Sequence, residues 1–283
     1  METRRSFRKA PRLPGTNHGG VRDLILEHKG SAESAAQKTL KSRIHCTGVG
    51  LHTGARVSMN LLPADINSGL TFVRTDVAED RAVVPARWDA VCETTLCTVV
   101  GNEHGTTVGT VEHLMAALRG CGIDNAVIEL DGPEVPIMDG SAAPFVFLIE
   151  SAGMAAQPAV RRAIRVLKTV EVVDGDKLAR LTPSAGFSFS FEIDFPDPVV
   201  MRQKGTIRLA NGAFKSDLAR ARTFGFLKDV EYLRSRGLAR GGSLDNAVVI
   251  NRGRVMNEGG LRFEDEFVRH KILDSIGDLY LAG

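Results

Sequence analysis

Two histidines far apart in the chain each carry a carboxylate at an offset that could do chemistry. Glu112 and His113 are adjacent, inside Thr110-Val-Glu-His-Leu-Met-Ala-Ala-Leu118. His270 precedes Asp274 by about one helical turn, inside Phe267-Val-Arg-His-Lys-Ile-Leu-Asp-Ser-Ile-Gly-Asp278. Two imidazoles and one carboxylate are the protein ligands a catalytic zinc commonly takes, with the fourth position left to water. The carboxylate beside His113 would then be free to act as a base on that water. Such a grouping describes a zinc hydrolase that lacks the common His-Glu-x-x-His arrangement.

The elements that must position these residues leave more than one reading open. At ~100° per residue, His270 and Asp274 differ by ~40° around a helix. Gly277 and Asp278 share their side, while Val268, Ile272, Leu273, Ile276, Leu279 and Tyr280 cluster on the opposite arc. A ligand pair on one polar face is available; the competing reading is the wet face of an amphipathic helix. Glu112 and His113 diverge by ~100°, and the competing reading there is a surface glutamate beside a core-edge histidine. They fall near a helix start, after the glycine-containing segment 105–109, where both can point into a cleft. His52 lies in Thr47-Gly-Val-Gly-Leu-His-Thr-Gly54, a loop that either approaches a ligand closely or simply turns. No helix follows it, so it is not a dinucleotide fingerprint.

The chain has 283 residues, enough for one large domain or two ordinary ones. Hydrophobic content of 43% and charged content of 25% are those of a soluble globular protein. With 36 basic and 34 acidic residues and only 6% aromatics, nothing suggests a nucleic-acid partner. Cys46, Cys92, Cys97 and Cys121 form no Cys-x-x-Cys, which excludes a zinc knuckle and fits free thiols in a reducing cytoplasm. No apolar run is long enough for a transmembrane anchor. Residues 1–40 read as a basic extension, expected to be disordered; an organelle transit peptide is the other reading, and His18 and His28 fall within it.

From Arg43 onward the pattern alternates strands and helices. Strands are expected at Ala55–Leu62, Gly69–Arg74 and Asn125–Leu130, with helices at Gly109–Arg119, closed by Gly120, and at Pro144–Ser151. The pattern lapses around Ala152–Ala159, where a domain boundary is expected. Strands resume at Ala163–Val173, Leu178–Leu181 and Phe187–Ile193. Helical stretches follow at Phe214–Arg220 and Phe226–Arg236, then a strand at Ala247–Ile250 and a long helix at Glu264–Leu281. Strands followed by a helix, twice over, imply an α+β fold in two halves, 41–158 and 159–283.

Taken together, these segments resemble the UDP-3-O-acyl-N-acetylglucosamine deacetylases, zinc enzymes of lipid A biosynthesis. The resemblance rests on Thr47–Gly54, Thr110–Leu118, Pro136-Ile-Met-Asp-Gly-Ser-Ala-Ala-Pro-Phe145, Arg220-Ala-Arg-Thr-Phe-Gly-Phe226 and Gly260-Leu-Arg-Phe-Glu-Asp-Glu-Phe-Val-Arg-His-Lys271 onward to Asp278. It implies one Zn2+ held by His113, His270 and Asp274, with Glu112 as general base. It further implies Thr223 on the oxyanion, Lys271 as a substrate-facing cation, and Asp278 orienting a catalytic histidine. Phe224 and Phe226 match substrate-contacting aromatics. The implied fold is a two-domain layered α/β sandwich with a cleft between the halves. An inserted unit at about 227–249 would form an apolar passage for the acyl chain. Leu51, Leu227, Val230, Leu238, Ala247 and Val249 would line it.

Family members continue past Gly283 with a glycine-rich strand, a Gly-His segment that supplies the general acid, and a closing helix. No histidine of this sequence matches that acid, so the second domain is expected to be incomplete and the chain as written a poor catalyst. The resemblance implies cytoplasmic hydrolysis of the acetamide of an acylated UDP-sugar. The rival readings are a zinc amidase acting on another sugar amide, and a remnant that binds zinc or the nucleotide sugar without efficient catalysis.

Overall fold

A computed structural model describes residues 36–210 and 212–283. Most of the basic extension, with His18 and His28, lies outside them. A five-stranded sheet forms in the order Ile44–Val49, Arg56–Pro63, Ala126–Leu130, Leu70–Arg74, Val83–Pro85. All its pairings are antiparallel except that of Leu70–Arg74 with Ala126–Leu130. Period-2 alternation decides which face is buried. Val57, Met59 and Leu61 of one strand and Ala126, Ile128 and Leu130 of its neighbour all point into the core. The strands expected at Ala55–Leu62, Gly69–Arg74 and Asn125–Leu130 are therefore present, each within a residue or so.

Helix α1 spans Glu112–Cys121 and is buried on nearly every side. It starts later than the apolar pattern implied. Gly109 is pinned beside the 133–135 segment, donating to Pro133 O at 2.9 Å and accepting from Val135 N at 3.0 Å. Thr110 then takes φ +55, which no helix can absorb. The expected closure at Gly120 is two residues too early. Gly120 lies inside α1, where a Cβ would come within 2.0 Å of the Phe214 ring. The cap is Gly122 at φ +71, with Ile123 N bonded back to Leu118 O at 2.9 Å. Helix α2, Ala143–Ala152, follows with proline in its first turn.

The second half is more open. Its long hairpins pair Val170–Asp174 with Lys177–Leu181 and Ser188–Asp194 with Arg202–Arg208. The strand expected at Ala163–Val173 begins only at Val170; upstream, Arg161 is held by Asp124 and Gly122 O and leads the chain away from any partner. Phe214–Leu218 is a single wide π-type turn instead of an α-helix. Phe224–Phe226 runs parallel to Val248–Asn251, joined by helix α3, Leu227–Ser235, and Arg254–Val255 closes this small sheet. Across the expected lapse at 152–159 runs a regular strand, Met154–Val160, paired antiparallel with Ala36–Leu40; Pro158 falls at its register shift.

Helix α4, Glu266–Tyr280, overturns the wet-face reading. His270 is fully buried and Gly277 lies against α1. On the opposite arc Val268 and Ile272 pack over Gly205 of the second hairpin, while Leu279 is exposed. One apolar core therefore runs from Phe72 and Ile128 of the sheet, through Leu114 and Leu118 of α1, to Ile272 and Ile276 of α4. The class is α+β, and no sheet among the described residues closes into a barrel.

A Cβ on Gly277 would lie 2.0 Å from Glu112 O and 3.0 Å from Ala116 N, both backbone atoms. Gly277→Ala should lower the melting temperature by the equivalent of ~1–3 kcal/mol, although alanine is the better helix former by ~1 kcal/mol. A melting temperature equal to or above that of the parent would show that α1 and α4 do not approach this closely.

Candidate functional site

Glu112 and His113 are the first two residues of α1, and His270, Asp274 and Asp278 are spaced one turn apart along α4. Since α1 and α4 cross at Gly277, the two segments meet. His113, His270 and Asp274 each offer one ligand atom, and these atoms lie within 4.8 Å of one another. The imidazoles stand edge to face with centroids 4.9 Å apart. Asp274 Oδ1 is 3.4 Å from His113 Nε2 and 3.3 Å from His270 Nε2.

Protonation decides what these contacts mean. His270 Nδ1 sits 3.0 Å from the Ala221 carbonyl, so the proton belongs on Nδ1 and Nε2 presents a bare lone pair. Burial pushes the His270 pKa down to about 3, which keeps the ring neutral. Its Nε2 and Asp274 Oδ1 are buried and have no hydrogen-bond partner among the described residues. Two acceptors facing each other in a dry site are costly unless a cation or a proton lies between them. In the bare chain His113 supplies part of this: burial opposes its charge, but Asp274 outweighs that and raises its pKa. The set has the chemistry of a divalent-metal site, with the second histidine nitrogen held by a carbonyl behind it.

The neighbouring charges are set by the same burial. Asp274 Oδ2 accepts from Lys271 Nζ at 2.7 Å. Burial works against the Asp274 charge, yet the Lys271 ammonium and His113 hold its pKa well below the usual range. Burial likewise works against the Lys271 ammonium, and Asp274 with Glu112 and Asp278 keeps it above its ordinary value. Glu112 goes the other way: burial, helped by Asp274, pushes it from 4.5 up to about 7 despite His113. Asp278 rises from 3.8 to about 6, because protein atoms crowd its carboxyl although the residue is reached by solvent.

Thr98 joins the two raised carboxylates. Its N–H donates to Glu112 Oε2 at 3.1 Å and its hydroxyl to Asp278 Oδ1 at 2.7 Å. Sequence reasoning missed this residue, since a lone threonine after Cys97 carries no motif. It also missed the buried Arg222–Glu266 pair. Arg222 donates to Glu266 from its backbone N and Nε at 2.9 Å each and from Nη2 at 3.1 Å. That pair ties the Arg220–Phe226 segment to the start of α4.

Thr223 is anchored through its backbone, to Gly140 O and from Val248 N at 2.8 Å each; its hydroxyl has no hydrogen-bond partner among the described residues. Phe224 stacks edge-on against Phe267 at 4.8 Å, with Lys271 Nζ 5.6 Å from its ring. Phe226 packs with Phe195 at 5.9 Å. Along the inserted unit Val230, Leu238, Ala247 and Val249 are half-buried, as is Leu51 on the facing loop, whereas Leu227 is exposed. No residue of α3 is buried. His52 is buried beside Leu238–Gly241 and accepts a long bond, 3.4 Å, from Ala239 N. No helix among the described residues is long and apolar enough to cross a membrane.

Comparison with known proteins gives a consistent result. Residues 37–283 match the profile of the LpxC family, described as UDP-3-O-acyl N-acetylglycosamine deacetylase. The UDP-3-O-acyl-N-acetylglucosamine deacetylases of Shewanella denitrificans, Shewanella baltica and Shewanella oneidensis are each 52% identical over 249 residues, which cover 87% of this chain and 81% of theirs.

His113→Ala, His270→Ala and Asp274→Ala should each abolish binding of one divalent ion per chain, measured by elemental analysis after dialysis. Full retention in all three would remove the site. A second expectation concerns the metal-free chain. The folded state holds a proton on Glu112 that the unfolded chain releases near pH 4.5, so its contribution to stability declines as pH rises from about 4.5 to about 7. Glu112→Gln should therefore raise stability at pH 8, on the order of 1–3 kcal/mol, and bring no such gain at pH 4. Equal effects at the two pH values would contradict the assigned burial.

Proposed function

Because the chain belongs to the UDP-3-O-acyl-N-acetylglucosamine deacetylase family, we propose that it hydrolyses the acetamide of an acylated UDP-N-acetylglucosamine, releasing acetate, as a step of lipid A biosynthesis. One Zn2+ is the metal that His113, His270 and Asp274 would hold. The observation that carries this reading is the set of buried lone pairs on His270 and Asp274 that face one another with no donor between them, with a carboxylate alongside. When bound, Zn2+ supplies Lewis acidity and a water acidic enough to ionise near neutral pH.

The remaining roles belong to the chain itself. Glu112 takes the proton of the attacking water, and a carboxyl raised by burial is suited to hold it and hand it to the leaving amine. Its Oε2 is held by Thr98, which limits its travel. The free hydroxyl of Thr223 is the donor for the developing oxyanion. Lys271, anchored on Asp274, offers a cation to the anionic substrate, and Asp278 orients or exchanges a proton beside Thr98. Phe224 and Phe226 contact the substrate, and the half-buried apolar residues of the inserted unit, with Leu51, take the acyl chain. The binding-only reading has no observation of its own to favour it, and the clustering of His113, His270 and Asp274 next to Glu112 supports the catalytic one.

Glu112→Ala should keep one zinc per chain and lose turnover on the order of 10²–10⁴-fold. Loss of zinc from this variant would make Glu112 a ligand and overturn its role as base.

A further inference from the structure

Glu134 is nearly fully buried, 2% exposed, and the reaction as described makes no use of it. Four uncharged donors end on its carboxylate. Oε1 accepts from His52 N and from Thr110 Oγ1, at 2.8 Å each. Oε2 accepts from Thr53 N at 2.9 Å and from Thr53 Oγ1 at 2.7 Å. Each oxygen thus receives one backbone N–H, which can never become an acceptor. An amide in either orientation would press its own NH2 against such a donor, so the place accepts only a carboxylate. Gly50 makes room for it, since a Cβ there would lie 2.3 Å from Oε2.

The Thr110 donor and the three donors of His52 and Thr53 lead to different parts of the site. Thr110 has φ +55, a strained conformation for a β-branched residue, and it stands two positions before Glu112. Its hydroxyl bond to Glu134 is the side-chain anchor of that conformation. The reversal at Thr110 is also what sends Glu112 and His113 inward as the first residues of α1. On the other side, His52 and Thr53 belong to the loop that meets the end of the inserted unit. Leu51 O accepts from Gly241 N at 3.0 Å and His52 O from Arg240 N at 3.2 Å. The approach is close, with a Cβ on Gly241 falling 2.1 Å from Gly50 O.

We propose that Glu134 is a positioning residue that fixes the Glu112–His113 pair through Thr110 and the inserted unit through the His52–Thr53 loop, and so couples turnover to recognition of the acyl chain. The coupling rests on the deacetylase reading given above.

The test uses the full zinc-loaded chain with long-acyl and short-acyl substrates, and the cobalt-substituted protein as a readout independent of turnover. Glu134→Gln should lower kcat about 10–100-fold, as a misplacement near 1 Å does. It should raise KM several-fold for the long-acyl substrate alone and alter the visible cobalt spectrum. Glycine adopts positive φ without an anchor. Thr110→Gly in the Glu134→Gln background should therefore recover most of kcat and the parent spectrum, and leave the raised long-acyl KM. A Glu134→Gln protein that melts earlier but keeps kcat, KM and spectrum is merely less stable, which overturns the proposal. Should Glu134→Gln not fold, Thr110→Val, which removes only the hydroxyl, takes its place. It should lower kcat without moving the long-acyl KM, and an unchanged kcat overturns the proposal. A wild-type chain that deacetylates neither substrate overturns the functional reading and the coupling with it. An active wild type with indifferent variants overturns this inference alone.

Discussion

The close crossing of two helices is the constraint on which the rest depends. α1 carries Glu112 and His113, α4 carries His270, Asp274 and Asp278, and the contact is made at backbone distance through Gly277. A side chain there would push the helix axes apart and separate the imidazoles, whose centroids are 4.9 Å apart. The core that drives the crossing is apolar and continuous from the sheet to Ile272 and Ile276. Hydrophobic burial supplies the force and is indifferent to direction; the missing Cβ supplies the distance.

Once the helices meet, burial sorts the protons. The same loss of solvent that lowers His270 to about 3 raises Glu112 to about 7, because in both cases the charged form is the one that suffers. Asp274 escapes this through Lys271 and His113. A neutral imidazole, an ionised carboxylate and a carboxyl with a raised pKa thus stand side by side where the start of α1 meets the middle of α4. None of these states belongs to the isolated side chains. The bare site is accordingly unfavourable by itself, with lone pairs facing lone pairs, as expected where stability is given up for binding and chemistry.

Polar anchors then hold the loops that helix packing cannot reach. Arg222 and Glu266 fasten the Thr223 segment to α4, and the Ala221 carbonyl in that segment sets the His270 tautomer. Thr98 spans Glu112 and Asp278, so a loop from the first half reads both helices at once. The Arg222–Glu266 and Ala221–His270 anchors are buried and satisfied, the condition under which such groups specify a geometry instead of weakening it.

The sequence by itself determined most of the element types and the class of chemistry. Strict alternation at Arg56–Pro63 and Ser188–Asp194 made strands legible, and the one-turn spacing of His270 and Asp274 made a shared helix face legible, because both are local periodicities. The segments around Glu112, Thr223 and His270 likewise carried the family resemblance. Only the tertiary structure decided where those faces point. The polar arc of α4 reads as wet from its own residues, yet His270 and Gly277 on it are buried because α1 covers them. The start of α1 shifted from Gly109 to Glu112 because Gly109 is bonded to Pro133 and Val135, and Gly120 serves close contact with Phe214 instead of closing the helix, both partners being distant in sequence. Thr98 and Glu134 were silent for the same reason: a hydrogen bond between residues far apart along the chain leaves no period in it, and exists only once the fold has brought its donor and acceptor together.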